Sequence, residues 1–455
     1  MTKLFGTDGI RGVANRYPLD CETALQVGRA CAAFFGNPDG GRFLIGQDTR
    51  ISGNMLVGAL AAGICSMGKD VVIAGVIPTP GVAHLTVADG FDAGIMISAS
   101  HNPFGDNGIK LFKGDGYKLS DEEEGRIEEL IVHAASTAGQ SRKIGKTGQI
   151  LQMADAGQRY SRFVADLSSF GRGPWLEGMK LVIDGSNGAA SKIAPLLFES
   201  LGATVKPIFC SPDGTNINDH CGSQHPEILS KTVVSEGAHA GLAFDGDADR
   251  LIAVDEKGAV LSGDQLIAIC ARNLKACGRL SGNKVVTTVM SNMGLGVALG
   301  EMGIEHLKTK VGDRYVMEKM RAVGAVVGGE DSGHMIFLDH HTTGDGMLAA
   351  LQLLDAMRSS HQPLSDLAGV MAVFPQCLIN VDVKSKPDIG TVGAVVDAIA
   401  AVEEKLGEKG RVLVRYSGTQ AKCRVMVEGP TETETRQFCR DIADMVAKEL
   451  GSCPA

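Results

Sequence analysis

The first residues of this sequence do not read as an export signal. The opening, Met1 to Gly12, has no apolar stretch, and Asp8 and Arg11 arrive too early for a signal peptide. Long hydrophobic runs are also missing. The most lipophilic stretch, Met55 to Met67, holds several Gly and Ala and falls short of the roughly 18 residues that a membrane span needs. Positive charge is in deficit. Lys and Arg total 44 against 53 Asp and Glu, a net charge of −9. That balance excludes the broad basic field demanded by nucleic acid or an anionic membrane. An anionic substrate would have to be met by local positive charge. The 11 cysteines are odd in number and never spaced Cys-x-x-Cys. This argues against a disulfide framework or zinc site and predicts free thiols in a reducing cytoplasm. No Gly-x-x-x-x-Gly-Lys-Ser/Thr string occurs, and no Gly-x-Gly-x-x-Gly opens a plausible dinucleotide site.

What is present is an ordinary globular balance, 44% hydrophobic and 21% charged, with an excess of 59 glycines. Without a Gly-X-Y period, that excess points to many tight loops. The length of 455 residues gives a prior of about three domains at roughly 150 residues each. Strand and helix signals alternate. Arg42–Ile45 reads as a strand, Ser52 as the cap of a helix over Gly53–Met67, and Asp70–Ala74 as the next strand. Ser120 with Glu123 forms a capping box for a helix from Asp121. A second segment begins with the strand Lys180–Ile183 and a helix over Gly188–Leu201. A third has the strand Lys284–Val289 and a helix from about Met293. The last segment differs: strands at Leu378–Val383, Val412–Arg415 and Cys423–Glu428, with helices over Ile389–Leu406 and Thr431–Leu450. It predicts an α+β layer with a sheet covered on one side. The expectation is four domains: α/β over 1–155, 156–257 and 258–369, and α+β over 370–455.

Four loops carry chemistry. Ser98-Ala99-Ser100-His101-Asn102-Pro103 follows the apolar run Ala93–Ile97, so Ser100 falls on a loop at a strand's carboxyl end, where open α/β sheets bind ligands. No Gly-x-Ser-x-Gly elbow surrounds it, which argues against a hydrolase nucleophile. Lys110 could supply positive charge nearby. In Asp245-Gly246-Asp247-Ala248-Asp249-Arg250, three carboxylates alternate over five residues. Their repulsion calls for a hard cation such as Mg²⁺ or Ca²⁺. An EF-hand is excluded, because its sixth position holds Arg250 rather than Gly and the flanks read as strands. Gly329-Glu330-Asp331-Ser332-Gly333-His334 combines a carboxylate, a hydroxyl and an imidazole, a mixture suited to sugar hydroxyls. The neighbouring His340-His341 reads as a surface pair. Arg415-Tyr416-Ser417-Gly418-Thr419, with Arg424 beyond, offers guanidinium groups, hydroxyls and backbone N–H groups as a phosphate nest, within what also reads as a hairpin turn. Arg11, just after a turn read at Gly6-Thr7-Asp8-Gly9, adds a fixed positive charge.

Together these loops resemble the α-D-phosphohexomutase family, in order through nearly the whole chain. The opening Leu4 to Val13, the Asn216-Ile217-Asn218 and Cys221 to Glu227 segments, and Thr343-Gly344-Asp345-Gly346 favour its glucosamine branch. That branch usually reads Gly-Glu-Gln-Ser-Gly-His where this chain has Asp331. The family's phosphate loop often reads Arg-Pro-Ser-Gly-Thr-Glu-Pro, where Tyr416, Gln420 and Ala421 stand here. The resemblance implies three related α/β domains around a central cleft and a smaller fourth domain. It implies that Ser100 carries a phosphoryl group and that one Mg²⁺ is held by Asp245, Asp247, Asp249 and the Ser100 phosphate. Glucosamine 6-phosphate and glucosamine 1-phosphate would interconvert through a 1,6-bisphosphate that doubles as activator, supplying amino-sugar precursors for cell-wall synthesis. Lys110, Arg11 and Arg250 would be the positive groups near the transferring phosphoryl. Glu330 and Ser332 would hold sugar hydroxyls, with His334 and Asp313 beside them, and the Arg415 loop would grip the distal phosphate. The general base stays open among Lys110, His101, His334 and Asp313. The resemblance further suggests a cytoplasmic homodimer acting on small phosphosugars, with no nucleic-acid or membrane partner. The alternatives are a phosphomannomutase or phosphoglucomutase of the same mechanism, a phosphosugar-binding protein without turnover, and a Mg²⁺-dependent sugar phosphatase.

Overall fold

The computed structural model describes residues 4–6, 8–36, 41–136, 146–417 and 421–451. The chain forms two compact units, Met1–Val289 with Ile304–Val370, and Met290–Gly303 with Met371–Ala455.

The first unit holds three α/β sheets. The first has seven strands, in the order Phe5–Gly6, Gly9–Val13, Asp106–Lys113, Ala93–Ile97, Arg42–Gln47, Asp70–Val76 and Ile150–Gln152. The last four run parallel, and the inner Ala93–Ile97 and Arg42–Gln47 strands bury their apolar residues on both faces, as covered parallel strands do, while the edge strand Ile150–Gln152 is exposed. The Gly9–Val13 and Asp106–Lys113 strands pair antiparallel, and the latter pairs antiparallel with Ala93–Ile97. Register sets Arg11 opposite Gly108, and Lys110 opposite Met96. Lys110 thus lies on the strand beside the one that ends at the Ser100 loop, and Arg11 one strand further out. The Asp121–Ser136 helix starts with the expected reciprocal cap, the Ser120 N–H on Glu123 at 2.8 Å and the Glu123 N–H on Ser120 Oγ at 3.2 Å.

One expected cap and one expected helix start in this unit need correction. Ser52 makes no side-chain cap on the Gly53–Cys65 helix, because its Oγ accepts from Asn107 at 2.9 Å instead. The second helix begins at Ala190 rather than Gly188: Ser186 and Asn187 are left-handed, so the chain is still turning there.

The second sheet orders Val260–Leu261, Leu251–Asp255, Ala240–Phe244, Lys180–Asp184 and Thr204–Ile208. The Asp245–Arg250 turn joins two antiparallel strands of it. The third orders Glu305–Thr309, Lys284–Thr288, Val327–Gly329 and Met335–Phe337, and residues 330–334 form its hairpin turn. The Leu251 N–H donates to Gly333 O at 3.0 Å, binding one turn to the other. A Cβ on Gly333 (φ +90°) would stand 2.2 Å from Leu251 O, so only glycine permits that approach.

The second unit is an antiparallel sheet of Gln376–Asp382, Lys422–Glu428 and Arg411–Tyr416. The Gly393–Leu406 and Glu432–Leu450 helices cover one face, burying Val395, Val402, Val425, Val427, Ile442 and Val446. The first of these helices starts four residues later than expected, because residues 389–391 form a short 3₁₀ turn. The Met293–Glu301 helix belongs to this unit. Its Met293 N–H donates at 2.9 Å to Glu428, a buried carboxylate that also pairs with Arg411 at 2.8 Å. No helix among the described residues is long and apolar enough to cross a membrane.

Candidate active site

The Ser100, Asp245 and Glu330 loops each leave the carboxyl end of a strand, and the first unit brings all three together. Ser100 is buried and left-handed, with φ +52°. Its Oγ donates to Asp245 Oδ2 at 2.5 Å and lies 3.4 Å from His101 Nδ1. Asp245, Asp247 and Asp249 are buried, with one oxygen of each within 4.8 Å of the others. Among the described residues, the Oδ1 atoms of Asp247 and Asp249 have no hydrogen-bond partner. Unsatisfied buried carboxylate oxygens are costly and are the donors a hard divalent cation takes, so the residues fit such an ion. Burial, reinforced by Asp249 and Asp247, raises the Asp245 pKa to about 8. Like charge crowded in a dry site resists ionisation until a cation or ammonium compensates it.

Lys110 is one such compensation. Its buried ammonium lies 2.8 Å from Asp247, 3.2 Å from Asp249 and 3.1 Å from Asp8. Burial alone would depress its pKa, but the three carboxylates outweigh burial and hold it well above the ordinary lysine value. The half-buried Arg250 guanidinium has its Nε 3.8 Å from Asp249 and 4.0 Å from Asp245, and that Nε has no hydrogen-bond partner among the described residues. Arg11 donates to Asp8 at 2.6 Å.

His334 stands between Asp249 (3.7 Å) and Asp313 (3.6 Å). Burial opposes its charge, yet these carboxylates raise its pKa. His101 behaves oppositely: burial and then Arg250 lower it to about 4. Burial works against ionisation of Asp313, but Lys118, 2.5 Å away, keeps its pKa low. Glu330 accepts from the Gly312 N–H at 3.0 Å, and Ser332 Oγ is buried without a partner. A cavity of about 360 Å³ opens among Arg11, Asp249, Arg250, Asp313, Glu330 and His334. That volume suits a small ligand. A larger cavity of about 820 Å³, past Gly75, Met153 and Lys192, contains none of these groups.

In the second unit, Arg415 and Arg424 are paired directly across adjacent strands. Burial and then the Arg424 charge lower the Arg415 pKa, and the Nε atoms of both residues lack partners. Two opposed guanidinium groups without a carboxylate repel each other, and a phosphate would relieve that repulsion. The Ser417 N–H donates to Lys422 O at 2.8 Å. Gly418 and Thr419 lie outside the described residues.

Sequence reasoning passed over three contributors. Lys118 bridges Asp8 and Asp313, each at 2.5 Å. Thr79 donates both its hydroxyl, to an Asp247 carboxylate oxygen, and its N–H, to Asp247 O at 2.9 Å. Asp8 gathers Arg11, Lys110 and Lys118. The signal available for Thr79 was its place at the start of a helix that follows a strand; Lys118 had none. One reading is corrected: His341 is a core residue rather than a surface one, its Nε2 3.1 Å from Pro80 O.

Comparison with known proteins supplies the context. Four models of one family match in order: phosphoglucomutase/phosphomannomutase domain I over residues 2–138, domain II over 158–258, domain III over 262–374 and the C-terminal domain over 378–445. A phosphoglucosamine mutase of Syntrophus aciditrophicus is 57% identical over 99% of this chain and 100% of its own length. One of Syntrophobacter fumaroxidans is 54% identical over the same shares. Among solved structures, a phosphoglucomutase/phosphomannomutase family protein of Burkholderia thailandensis superposes with a TM-score of 0.81 at 26% identity, over 98% of this chain and 97% of that one.

Proposed function

This chain belongs to the phosphoglucomutase/phosphomannomutase family, and on that premise we propose that it is a phosphoglucosamine mutase, interconverting glucosamine 6-phosphate and glucosamine 1-phosphate. The observation that carries the chemistry is the Ser100 hydroxyl held 2.5 Å from one carboxylate of a buried triad. A hydroxyl at that place takes and returns a phosphoryl group. Asp245, Asp247 and Asp249 would hold Mg²⁺, which would supply charge withdrawal from that group. Lys110, Arg250 and Arg11 set fixed positive charge around it, and such transfer depends on positioning and charge stabilisation. Lys110, beside three carboxylates, and His334, between Asp249 and Asp313, are placed to donate a proton, and His101, 3.4 Å from the Ser100 hydroxyl, to accept one. Glu330 and Ser332 offer an acceptor and an unsatisfied hydroxyl to the sugar. Arg415, Ser417, Gly418, Thr419 and Arg424 hold the phosphate that is not reacting.

The glucosamine substrate is supported by the two phosphoglucosamine mutases reported above, 57% and 54% identical and each matched over its whole length. The ten described cysteines, all free, fit a reducing cytoplasm. The test is a coupled assay with glucosamine 6-phosphate and Mg²⁺, with and without a trace of the 1,6-bisphosphate, beside glucose and mannose phosphates. We expect turnover stimulated by the bisphosphate, abolished by chelation and fastest with the amino sugar. Steady release of inorganic phosphate instead would make the protein a phosphatase.

A further inference from the structure

The Ser100 loop is held from behind by a buried arginine that touches nothing in the cavity. Arg50 follows the Arg42–Gln47 strand, and its side chain is fully buried. Every N–H of its guanidinium is used. Nε donates to Asp48 Oδ2 at 2.9 Å; Nη2 donates to Ser100 O at 2.9 Å and Asn102 O at 2.7 Å; Nη1 donates to Pro103 O and, at 3.0 Å, to Asp106 O. All four carbonyls belong to the segment that carries Ser100. Asp48 Oδ2 also accepts from the Ser98 hydroxyl at 2.6 Å, and Ser98 Oγ accepts the Ser100 N–H at 2.9 Å. From the second sheet's side, Asn218 Nδ2 donates to Ser100 O at 2.8 Å and Asn102 O at 3.0 Å.

These bonds explain how Ser100 keeps a left-handed backbone that residues other than glycine and asparagine rarely adopt. They also occupy its N–H and its C=O together, leaving only the hydroxyl free to face Asp245. We infer that Arg50 and Asn218 are positioning residues of the phosphoryl transfer, which fix the Ser100 loop so that its Oγ stays aimed at the carboxylate triad. The inference rests on the phosphoserine reading above. A lysine cannot replace Arg50, since an ammonium offers three donors from one point while the carbonyls match a planar fork.

The experiment compares wild type, Arg50→Lys, Arg50→Ala and Asn218→Gly, the last preserving a residue tolerant of positive φ while deleting the donor. Each is checked for folding by circular dichroism and melting, then for kcat and KM in both directions. Ser100 phosphorylation by glucose 1,6-bisphosphate is read by mass spectrometry. We expect folded Arg50→Lys to lose about a hundredfold in kcat with KM little changed, the cost of a displaced reacting atom. Added guanidinium, but not methylammonium, should restore part of the Arg50→Ala rate. Asn218→Gly should show a smaller loss of the same kind. If the Arg50 variants do not fold, Asn218→Gly alone decides: a fall in kcat at constant KM supports the inference, and an unchanged kcat overturns it. Activity that falls only with the folded fraction also overturns it. A wild type whose Ser100 takes no phosphate would instead defeat the phosphoserine reading. A wild type that is phosphorylated, beside variants with wild-type kcat, would defeat the positioning inference alone.

Discussion

Arg415 and Arg424 face each other across adjacent antiparallel strands, and among the described residues the Nε of each is without a partner. A sheet that sets like charges opposite one another forgoes stability. A phosphate recovers it. Arg415→Ala should therefore damage turnover from the 1-phosphate and the 6-phosphate alike, by about 2–5 kcal/mol if a charged, buried hydrogen bond is lost. The preference between glucosamine and glucose phosphates should hardly move. Steady-state kinetics in both directions with both sugars reads this, and a loss confined to one direction would contradict a shared distal site.

Lys110 compensates three carboxylates at once. Replacing it with the uncharged Lys110→Met leaves buried charge unpaired, a loss of about 3–5 kcal/mol in metal-free protein. A divalent cation should repair part of that deficit. Melting with and without Mg²⁺ should show a larger metal-induced rise for the variant than for wild type. Equal rises would mean that Lys110 and the cation site are not electrostatically linked.

His341 gives the protein an acid-sensitive core. The neutral ring uses both nitrogens, Nε2 toward Pro80 O and Nδ1 accepting the Thr343 N–H at 3.3 Å. Burial, then the nearby His84, lowers its pKa to about 3. His84, stacked on Phe163 at 3.7 Å, is lowered to about 4 by burial and then Arg159. The unfolded chain binds these protons near the ordinary histidine value of about 6.5, and the native state does not. Stability is therefore full above about 6.5 and falls as pH drops toward 3, with His341 contributing about 1.4 kcal/mol per pH unit. Urea midpoints at successive pH values should show this slope, and His341→Gln should flatten it. An unchanged slope would place the acid sensitivity elsewhere.

The residues that sequence made legible are those whose chemistry is local. Asp245, Asp247 and Asp249 repel one another within five positions, so a cluster that could hold a cation is legible in the spacing itself. Ser100 follows an apolar strand and precedes Pro103, which fixes it on a loop. The Ser120–Glu123 cap likewise needs only four residues. What stayed hidden is long-range. Thr79 meets Asp247 across 168 positions, and Lys118 meets Asp313 across 195. No local pattern marks a hydroxyl or ammonium for a partner that distant. Ser52 and His341 were misread for the same reason, since tertiary partners, Asn107 for one and the Pro80 carbonyl for the other, overrode the local signal.

The central claim is that Ser100 carries the phosphoryl group between two positions of one sugar. Glucosamine 1,6-bisphosphate labelled with ³²P at one phosphate tests it directly, followed by peptide mapping of the protein. The label should appear on the peptide containing Ser100, be discharged by unlabelled glucosamine 6-phosphate, and be absent from Ser100→Ala, which should fold normally and not turn over. Label on another residue, or turnover by Ser100→Ala at the wild-type rate, would contradict the account.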